Sequence, residues 1–296
     1  MRVVTRGDLD GLACTVFISL MESVDQVRFA HPKDVQDGKV EITSEDVIVN
    51  LPYVKGCGMW FDHHVSQEEM VDVAGDFKGR YEVALSAARV IYDYYNSPKL
   101  KKYEAMLGEV DRVDSAQLTV ADVTNPEGWV LLSHACDPRA GLRRYQDFFL
   151  LLVDLIKKNT PIEQIMAHPE VKSRTDLMLS EQEKFAQSQK ENSRLDGNVI
   201  VTDLRGKKDL PVGNRFLIFT LFPKGNVQAR IFDGINELQV IAVGHSIFNR
   251  TCKTSVGPLL AEYGGGGHHG AGTAQFPKDE AMTKIPEIIE KLKRAG

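Results

Sequence analysis

Cysteine and long apolar runs are scarce in this sequence. Its four cysteines include no C-x-x-C pair, so neither a disulfide framework nor a structural zinc site is indicated, and we expect free thiols. The longest purely apolar run, residues 148–153, is far shorter than the roughly 20 residues that span a bilayer. The first residues follow a strand pattern rather than that of a signal peptide. We therefore expect a cytoplasmic protein that is not associated with a membrane.

An excess of positive charge is also absent. The 36 Lys and Arg residues are outnumbered by 41 Asp and Glu residues, and the net charge is -5. Long duplex nucleic acid is bound largely through a broad positive surface that releases counterions, so it is not an expected partner. An anionic ligand must instead be held locally, which suits a small phosphorylated compound or a short single-stranded oligonucleotide.

The remaining composition is that of an ordinary globular protein, and 296 residues usually form two domains. In the first part, strand-forming runs at residues 2–5, 27–30, 47–49 and 58–61 alternate with helical patterns. One such helix is predicted between residues 82 and 95, where apolar residues recur at helical spacing. This alternation predicts an α/β domain with a parallel sheet covered by helices.

The second part has a different pattern. Residues 141–196 are rich in Leu, Lys, Glu and Gln and predict several helices, which end at a linker at residues 195–198. Strand runs follow in succession, including residues 216–219, and helical stretches come last. We therefore predict a first domain with a helical extension (residues 1–180), a linker helix (181–197) and a smaller α+β domain (198–296).

Two aspartates follow the first predicted strand. Asp8 and Asp10 lie between that strand and the next helix, and loops at the carboxyl ends of parallel strands are where α/β sheets bind ligands. Carboxylates one residue apart in a turn supply hard oxygen ligands for Mn²⁺ or Mg²⁺. The alternative is that both are ordinary turn and N-cap residues.

Two further acidic motifs come later. Asp62, His63 and His64 follow the apolar run 59–61, and an imidazole oriented by a carboxylate is typical of a metal site. Asp111 and Asp114 are three residues apart and therefore lie on one side of a helix end. The alternative for this second pair is a solvated acidic face.

A glycine-rich segment, residues 264–272, contains two adjacent histidines. Its glycines allow the backbone to approach a phosphate closely, and an imidazole can add a hydrogen bond. A helical pattern precedes the segment and no Lys-Ser or Lys-Thr follows, so it is neither a dinucleotide-binding fingerprint nor a P-loop. The alternative is a flexible surface loop.

Taken in order, these motifs resemble the DHH/DHHA1 phosphoesterase superfamily, particularly its exopolyphosphatase-related group and the nanoRNA and pAp phosphatases. The resemblance covers nearly the whole chain and includes the family's G-G-G-H-x-x-A motif, matched by Gly265, Gly266, Gly267, His268 and Ala271. It implies an N-terminal DHH domain, a helical connection and a C-terminal DHHA1 domain, with the active site in the cleft between the domains. It also implies two Mn²⁺ ions that activate water for attack on a phosphate ester.

The resemblance assigns roles to particular residues. It implies metal ligands at four positions, with Asp111 as second choice for the last of them: Asp8, Asp10, His63 and Asp114. It implies catalytic roles for Asp62 and His64. In the second domain it implies that the glycine motif, with His268, binds substrate, and that Ser246 and Arg250 hold the far end of the substrate. The alternative for Arg250 is a surface cation.

Two positions depart from the family pattern. Arg6 stands where the family has a histidine ligand, and Asn50 stands where it has the aspartate that bridges both metals. A guanidinium cannot ligate a metal, and an amide oxygen is a poor bridge between dications. We therefore expect one Mn²⁺ or Mg²⁺ ion rather than two, with Arg6 replacing part of the missing charge and binding a phosphate oxygen.

Three functions follow from these expectations. The first is slow, metal-dependent hydrolysis of a small phosphorylated substrate, such as a short oligonucleotide, a pAp-like nucleotide or a cyclic dinucleotide. The second is a catalytically inactive protein that binds or senses a nucleotide. The third is an exopolyphosphatase, which we disfavour because the sequence has no extended run of Lys and Arg to track a long polyanion.

Overall fold

A computed structural model describes residues 1–137, 145–234 and 237–294. The chain divides into two compact units, which are described separately. The first contains Met1–Leu118 and Pro126–Met178, and the second contains Thr119–Asn125 and Leu179–Gly296. The domain boundaries at residues 180 and 197 stay predictions.

The first unit is built on a five-stranded sheet in which every neighbouring pair is parallel, in the order β2-β1-β3-β4-β5. Its strands are β1 (Arg2–Thr5), β2 (Gln26–Phe29), β3 (Asp46–Val49), β4 (Met59–Asp62) and β5 (Gly79–Tyr81). Every residue of β3 and β4 is buried, as expected for central strands covered on both faces. The predicted α/β domain with a parallel sheet is confirmed.

Helices connect and cover these strands. In chain order they are α1 (Leu9–Met21), α2 (Pro32–Gln36), α3 (Glu68–Ala74), α4 (Ala87–Tyr95), α5 (Glu104–Asp114), α6 (Val120–Thr124), α7 (Gly128–Cys136), α8 (Tyr145–Lys157) and α9 (Ile162–Ala167). Of these, α6 belongs to the second unit. The helix predicted from residue 82 begins at Ala87, because the Ser86 side chain accepts the Arg89 N–H and caps it there.

The second unit contains a six-stranded sheet in the order β10-β11-β9-β8-β7-β6. Its strands are β6 (Ser193–Asp196), β7 (Val199–Asp203), β8 (Val227–Asp233), β9 (Leu238–His245), β10 (Gly266–Gly267) and β11 (Ala271–Pro277). The β7–β8 pair is parallel and the neighbouring pairs are antiparallel, so the sheet is mixed. The predicted α+β class of this unit is confirmed.

Four more helices complete the described chain: α10 (Pro169–Asn192), α11 (Leu217–Leu221), α12 (Val256–Ala261) and α13 (Lys278–Arg294). One face of the mixed sheet forms the core of the second unit with α12 and α13, and Ile285, Ile288 and Leu292 of α13 are buried there. Within the residues that the structure describes, no helix is both long and apolar enough to cross a membrane.

Two predictions about the second part were wrong. Residues 216–219 were expected to form a strand but lie at the start of α11, since a short apolar run does not distinguish a strand from a buried helix. The linker expected at residues 195–198 is instead the turn of the β6–β7 hairpin, where Gly197 adopts a positive φ of 64°. The preceding helix ends at Asn192.

Gly79, the first residue of β5, tests the close approach of β5 to β4 in the first unit. It has a φ of 121°, and a Cβ there would lie 2.0 Å from the Trp60 carbonyl oxygen on β4. Gly79→Ala is therefore expected to lower the free energy of unfolding by about 1–3 kcal/mol. The matched control is Gly108→Ala in α5, where a Cβ meets no atom within 4 Å. It should raise stability by about 0.5–1 kcal/mol because alanine favours helix. Urea unfolding of both variants measures the difference, and equal stability would contradict the account.

Candidate metal centre

The strand register brings the predicted motifs to one edge of the parallel sheet. Thr5 is paired with Val49, and Val49 with Phe61, so β1, β3 and β4 end at the same level. Arg6 and Asn50 directly follow β1 and β3, and the Asp62-His63-His64 motif begins with the last residue of β4. Of the predicted site residues, this edge holds Arg6, Asp8, Asp10, Asn50, Asp62, His63 and His64, and Asp114 of α5 joins it through its contact with His63.

His63 lies at the centre of the site. Its Nδ1 is 3.0 Å from the Ala84 carbonyl oxygen, which can only accept, so Nδ1 carries the proton. Its Nε2 lies 3.3 Å from Asp114 Oδ2 and 3.8 Å from Asp10 Oδ2. Among the described residues this buried nitrogen has no hydrogen-bond partner. In the neutral imidazole, a lone pair therefore faces two carboxylates.

This arrangement fits a divalent cation. The ligand atoms of Asp10, His63 and Asp114 all lie within 4.8 Å of one another. Two carboxylates and an imidazole are a ligand set that suits Mn²⁺, and hard oxygen ligands also suit Mg²⁺. Without a cation, an electron-rich nitrogen facing two negative charges is an unfavourable arrangement, so the residues present can hold the metal.

The pKa values of Asp10, His63 and Asp114 also indicate an excess of negative charge in the cluster. Burial raises the pKa of the Asp10 carboxyl, although His63 opposes this effect. Although the Asp114 side chain is 28% exposed, partial removal from water, followed by proximity to Asp10, raises the pKa of Asp114. Burial opposes protonation of His63, but Asp10 and Asp114 outweigh it and raise the pKa of His63. The raised pKa values favour protonation of all three groups. Protonation reduces the negative charge of the cluster when no cation is bound.

Asp10 is oriented by the beginning of α4. The residue is 1% exposed, its Oδ2 accepts the Ala87 N–H at 2.9 Å, and its Oδ1 accepts the Ala88 N–H at 2.8 Å. Amide groups in the first turn of a helix have no partner within the helix, so a carboxylate is a favourable acceptor for them. The plane of the Asp10 carboxylate is therefore fixed by the position of α4.

Asp8 faces protein donors instead. Its Oδ1 accepts the Gly11 N–H at 2.9 Å and Asn50 Nδ2 at 3.1 Å, and its Oδ2 lies 3.0 Å from Arg6 Nε. Within the described part of the chain, Asp8 does not join the cluster around His63. Asp8 caps α1, as the alternative reading of the motif proposed, and its role as a metal ligand stays a prediction.

Asn50 is buried directly after β3, with a φ of 55°. Asparagine tolerates this left-handed conformation better than most residues. Its N–H donates to the Phe61 carbonyl oxygen at 3.0 Å, which fixes the backbone, and its side-chain amide points a donor at Asp8. Its Oδ1 has no hydrogen-bond partner in the region that the structure describes. The amide thus forms a hydrogen bond where the family's aspartate would repel Asp8.

Arg6 supplies the positive charge beside Asp8. The Asp8 carboxylate is the main cause that raises the pKa of Arg6, with smaller contributions from Asp114 and Asp137, while burial opposes them. Sequence reasoning did not find Asp137. It follows α7, far from every motif in the chain, and only the folded arrangement brings it into the electrostatic environment of Arg6.

His64 is oriented by its neighbour. Its Nδ1 lies 2.7 Å from Asp62 Oδ1, which also accepts the His63 N–H at 2.8 Å. Asp62 is buried, whereas the His64 side chain is 20% exposed. Tyr81 adds a hydrogen bond from its hydroxyl to the His64 carbonyl oxygen at 3.1 Å. The motif therefore holds two imidazoles side by side, one facing the carboxylate cluster and one partly open to solvent.

The two candidates in α5 differ in their surroundings. Asp114 lies beside His63, whereas Asp111 forms a buried ion pair with Arg89 and accepts a hydrogen bond from Ser86. The geometry therefore favours Asp114 as the ligand. Ser86 and Arg89 carried no recognisable sequence signal, since their partners are more than 20 residues away.

The glycine motif lies in the second unit, where its glycines permit close packing. A Cβ on Gly265 would lie 2.4 Å from the Thr273 carbonyl oxygen, and one on Gly267 would lie 2.2 Å from the Ala271 carbonyl oxygen. Gly266 and Gly267 form β10, so part of the segment is a strand rather than an irregular loop. The N–H groups of Gly265 and His268 donate to protein carbonyls, while the His268 residue is exposed.

Ser246 and Arg250 follow β9 in the same unit. Ser246 is buried, and its hydroxyl oxygen accepts the N–H groups of Phe248 and Asn249 at 3.2 and 3.0 Å. Arg250 is exposed, and its Nε donates to the Ile247 carbonyl oxygen at 3.0 Å. Ser246 therefore stabilises the turn that presents Arg250, and the substrate-binding roles of both residues stay predictions.

Comparison with solved structures identifies similar proteins. A pGpG-specific phosphodiesterase, PggH from Vibrio cholerae, is 34% identical, with a TM-score of 0.80, over 100% of this chain and 99% of that chain. The DHH domain of a protein described as belonging to a family of ribosomal proteins is 15% identical, with a TM-score of 0.60, over 99% of this chain and 86% of that chain, and shows a shared fold. RecJ from Thermus thermophilus, in complex with Mn²⁺, is 12% identical over 99% of this chain and 51% of that chain, with a TM-score of 0.44. No protein-family model and no curated protein sequence matches the chain.

Asn50→Asp tests the arrangement around Asp8. The substitution places a second carboxylate where Asn50 Nδ2 now lies 3.1 Å from Asp8 Oδ1. Without added metal, we expect the free energy of unfolding at pH 7 to fall by on the order of 2 kcal/mol. Repulsion raises the pKa of the new carboxyl in the folded state, so the loss should disappear as pH falls and the group is protonated. Urea unfolding at pH 7 and pH 4 measures this, and a loss independent of pH would contradict it.

Proposed function

The chain belongs to the DHH/DHHA1 phosphoesterase superfamily, and on that premise we propose that it hydrolyses the phosphodiester bond of a short linear dinucleotide with a single bound cation. The pGpG-specific activity of the similar protein from Vibrio cholerae supports this substrate class. The observation that carries the proposal is the lone pair of His63 Nε2, buried opposite the carboxylates of Asp10 and Asp114. We also propose a cytoplasmic location.

Asp10, His63 and Asp114 are the residues that we assign to Mn²⁺ or Mg²⁺. When bound, such a cation supplies Lewis-acid polarisation of a phosphoryl oxygen and increases the acidity of water. The Ala84 carbonyl oxygen fixes the His63 ring, and the first turn of α4 fixes Asp10. Such supporting contacts determine the orientation of a ligand set.

Arg6 takes over part of the charge of the second family ion. One dication and the Arg6 guanidinium together balance the three carboxylates of Asp8, Asp10 and Asp114. Asp8 binds Arg6 through Nε at 3.0 Å, and we assign the terminal guanidinium nitrogens to a substrate phosphate oxygen. This role is electrostatic, since a guanidinium cannot activate water as a second metal does.

The remaining residues act on the substrate. Asp62 holds His64 through Nδ1, and we assign His64 Nε2 to the leaving oxygen, to which it delivers a proton. In the second unit we assign Ser246, Arg250, His268 and the glycines 265–267 to the substrate portion remote from the reacting phosphate. Arg250 is suited to this role because guanidinium groups bind phosphate through paired hydrogen bonds.

A sensor is the second candidate function. Arg6 and Asn50 stand at two metal positions of the family, and Asn50 donates to Asp8 as a stable structural contact. Loss of a metal pair costs several kcal/mol of transition-state stabilisation, equivalent to a rate reduction of about a thousandfold or more. The same pocket would then bind a nucleotide without converting it.

Metal stoichiometry and turnover distinguish these functions. Protein loaded with Mn²⁺ and passed through gel filtration is expected to retain one ion per chain by elemental analysis, and to hydrolyse pGpG or pApA faster than pAp or bis(p-nitrophenyl) phosphate. His63→Ala should lose both the ion and turnover. The matched control is His168→Ala, which removes a histidine whose ring contacts the backbone of Glu170. Two tightly held ions would contradict the single site, and saturable binding of pGpG without turnover would favour the sensor.

The double substitution Arg6→His with Asn50→Asp tests the two departures together. It restores the residue types that the family has at these positions, so we expect a second Mn²⁺ ion per chain and turnover raised by about tenfold or more, equivalent to roughly 1.4 kcal/mol of transition-state stabilisation. Neither single substitution should suffice, because Arg6→His alone leaves the amide at position 50 and Asn50→Asp alone leaves the guanidinium. If the double variant gains neither the ion nor activity, Arg6 does not replace a metal.

A further inference from the structure

Asp111 is buried within a network that the proposed reaction does not use. It is 5% exposed, and its Oδ1 accepts the Ser86 hydroxyl at 2.7 Å. Its Oδ2 accepts Arg89 Nε at 3.0 Å and Arg89 Nη2 at 2.6 Å. Both oxygens therefore have short contacts with α4 or its cap, and the guanidinium compensates the buried charge.

Ser86 transmits this contact to the helix. The residue is fully buried, and its hydroxyl oxygen accepts the Arg89 N–H at 3.0 Å, which caps the beginning of α4. Because the hydroxyl proton is donated to Asp111, the oxygen lone pairs remain directed at the helix. Asp111 therefore fixes the serine as an acceptor and, with Arg89, fixes where α4 begins.

The first turn of α4 in turn holds Asp10. The two N–H groups that follow Ser86, those of Ala87 and Ala88, each bind a different oxygen of the Asp10 carboxylate. A shift of the helix start would rotate this carboxylate, whose Oδ2 lies 3.8 Å from His63 Nε2. The orientation of one assigned metal ligand thus depends on the contact between Asp111 and Ser86.

The same residue also places the second carboxylate. Asp111 and Asp114 are three residues apart in α5 and therefore lie on one side of the helix. The ion pair between Asp111 and Arg89 joins α5 to α4, and Asp114 Oδ2 lies 3.3 Å from His63 Nε2. A single ion pair, with two guanidinium nitrogens on Asp111 Oδ2, therefore relates the helix that bears Asp114 to the helix that holds Asp10.

We propose that Asp111, acting with Ser86 and Arg89, is a positioning residue that sets the relative orientation of Asp10 and Asp114 for a divalent cation. The inference rests on the proposed function, in which these two aspartates bind that cation. A buried ion pair contributes little net stability compared with apolar packing of similar volume. Contacts on both carboxylate oxygens, from Arg89 to Oδ2 and from Ser86 to Oδ1, instead fix distance and direction. The network therefore acts on the geometry of the ligands.

The chain contains a matched control for this ion pair. Asp46 is 1% exposed, and its two oxygens accept Arg2 Nε at 2.7 Å and Arg2 Nη2 at 2.8 Å. This pair joins the starts of β1 and β3, at the opposite ends of these strands from Arg6 and Asn50. It has the same residue types, the same two guanidinium nitrogens and a similarly buried carboxylate as the Asp111 pair, but it has no contact with the carboxylate cluster. The nitrogens of Arg2 bind different oxygens of Asp46, whereas both nitrogens of Arg89 bind Asp111 Oδ2.

The experiment compares the Mn²⁺ dissociation constants of Asp111→Asn and Asp46→Asn in the full chain, measured by the electron paramagnetic resonance signal of free Mn²⁺. Urea unfolding of the metal-free proteins is measured in parallel. We expect both substitutions to lower stability, but only Asp111→Asn to weaken Mn²⁺ binding, by about 10- to 100-fold. Equal Mn²⁺ affinity in the two variants would overturn the proposal.

A second pair decides the question if Asp111→Asn does not fold. Arg89→Gln and Arg2→Gln change the partner arginines, whose side chains are similarly accessible, 28% and 26% exposed. Arg89→Gln should weaken Mn²⁺ binding at least fivefold more than Arg2→Gln, and equal affinity would overturn the proposal.

Asp10→Asn separates this inference from the proposed function. Unchanged Mn²⁺ affinity in Asp10→Asn would refute the cation site itself. Weakened binding in Asp10→Asn, together with Asp111→Asn binding as tightly as the unmodified protein, would refute only the positioning role.

Discussion

The first unit depends on two carboxylates that face the same imidazole nitrogen. Asp10 and Asp114 come from different helices, and their oxygens lie 3.8 and 3.3 Å from His63 Nε2. Like charges held this close in a partly desolvated site repel one another, so the folded state requires a positive charge there. The surrounding contacts work against this repulsion: backbone amides bind Asp10, the Ala84 carbonyl fixes the ring, and α5 is tied to α4.

Arg6 and Asn50 compensate the negative charge of Asp8 through direct contacts with its carboxylate. A carboxylate at this edge of the sheet needs donors or cations on both oxygens, and here it receives two amide donors and one guanidinium. These protein groups cannot leave the site, so the charge balance around Asp8 is permanent. Asp8 is therefore held by fixed protein groups, whereas we propose that a bound cation balances the charge around His63.

Much of this arrangement was predictable from local sequence signals. Parallel strands and their terminal motifs placed Asp62, His63 and Asp10 at one sheet edge, because strand ends converge in a parallel sheet. The network of Ser86, Arg89 and Asp111 was not predictable. The hydrogen bonds to Asp111 join residues that are more than 20 positions apart in sequence and meet only in the folded protein. The strand expected at residues 216–219 failed for the converse reason: a four-residue apolar run fits two elements, and tertiary packing selected a helix.

Cation binding and the stability of the first unit are consequently linked. A ligand that binds only the folded state stabilises it by about 2.7 kcal/mol at one hundred times its dissociation constant. In this unit the gain has a specific origin, because a bound cation removes the repulsion between Asp10 and Asp114 that the metal-free fold must otherwise bear or relieve by protonation. Enzyme and sensor share this linkage equally. The enzyme and the sensor differ instead in how Arg6 and His64 contact a bound phosphodiester. Only the enzyme requires a geometry in which the leaving oxygen is protonated.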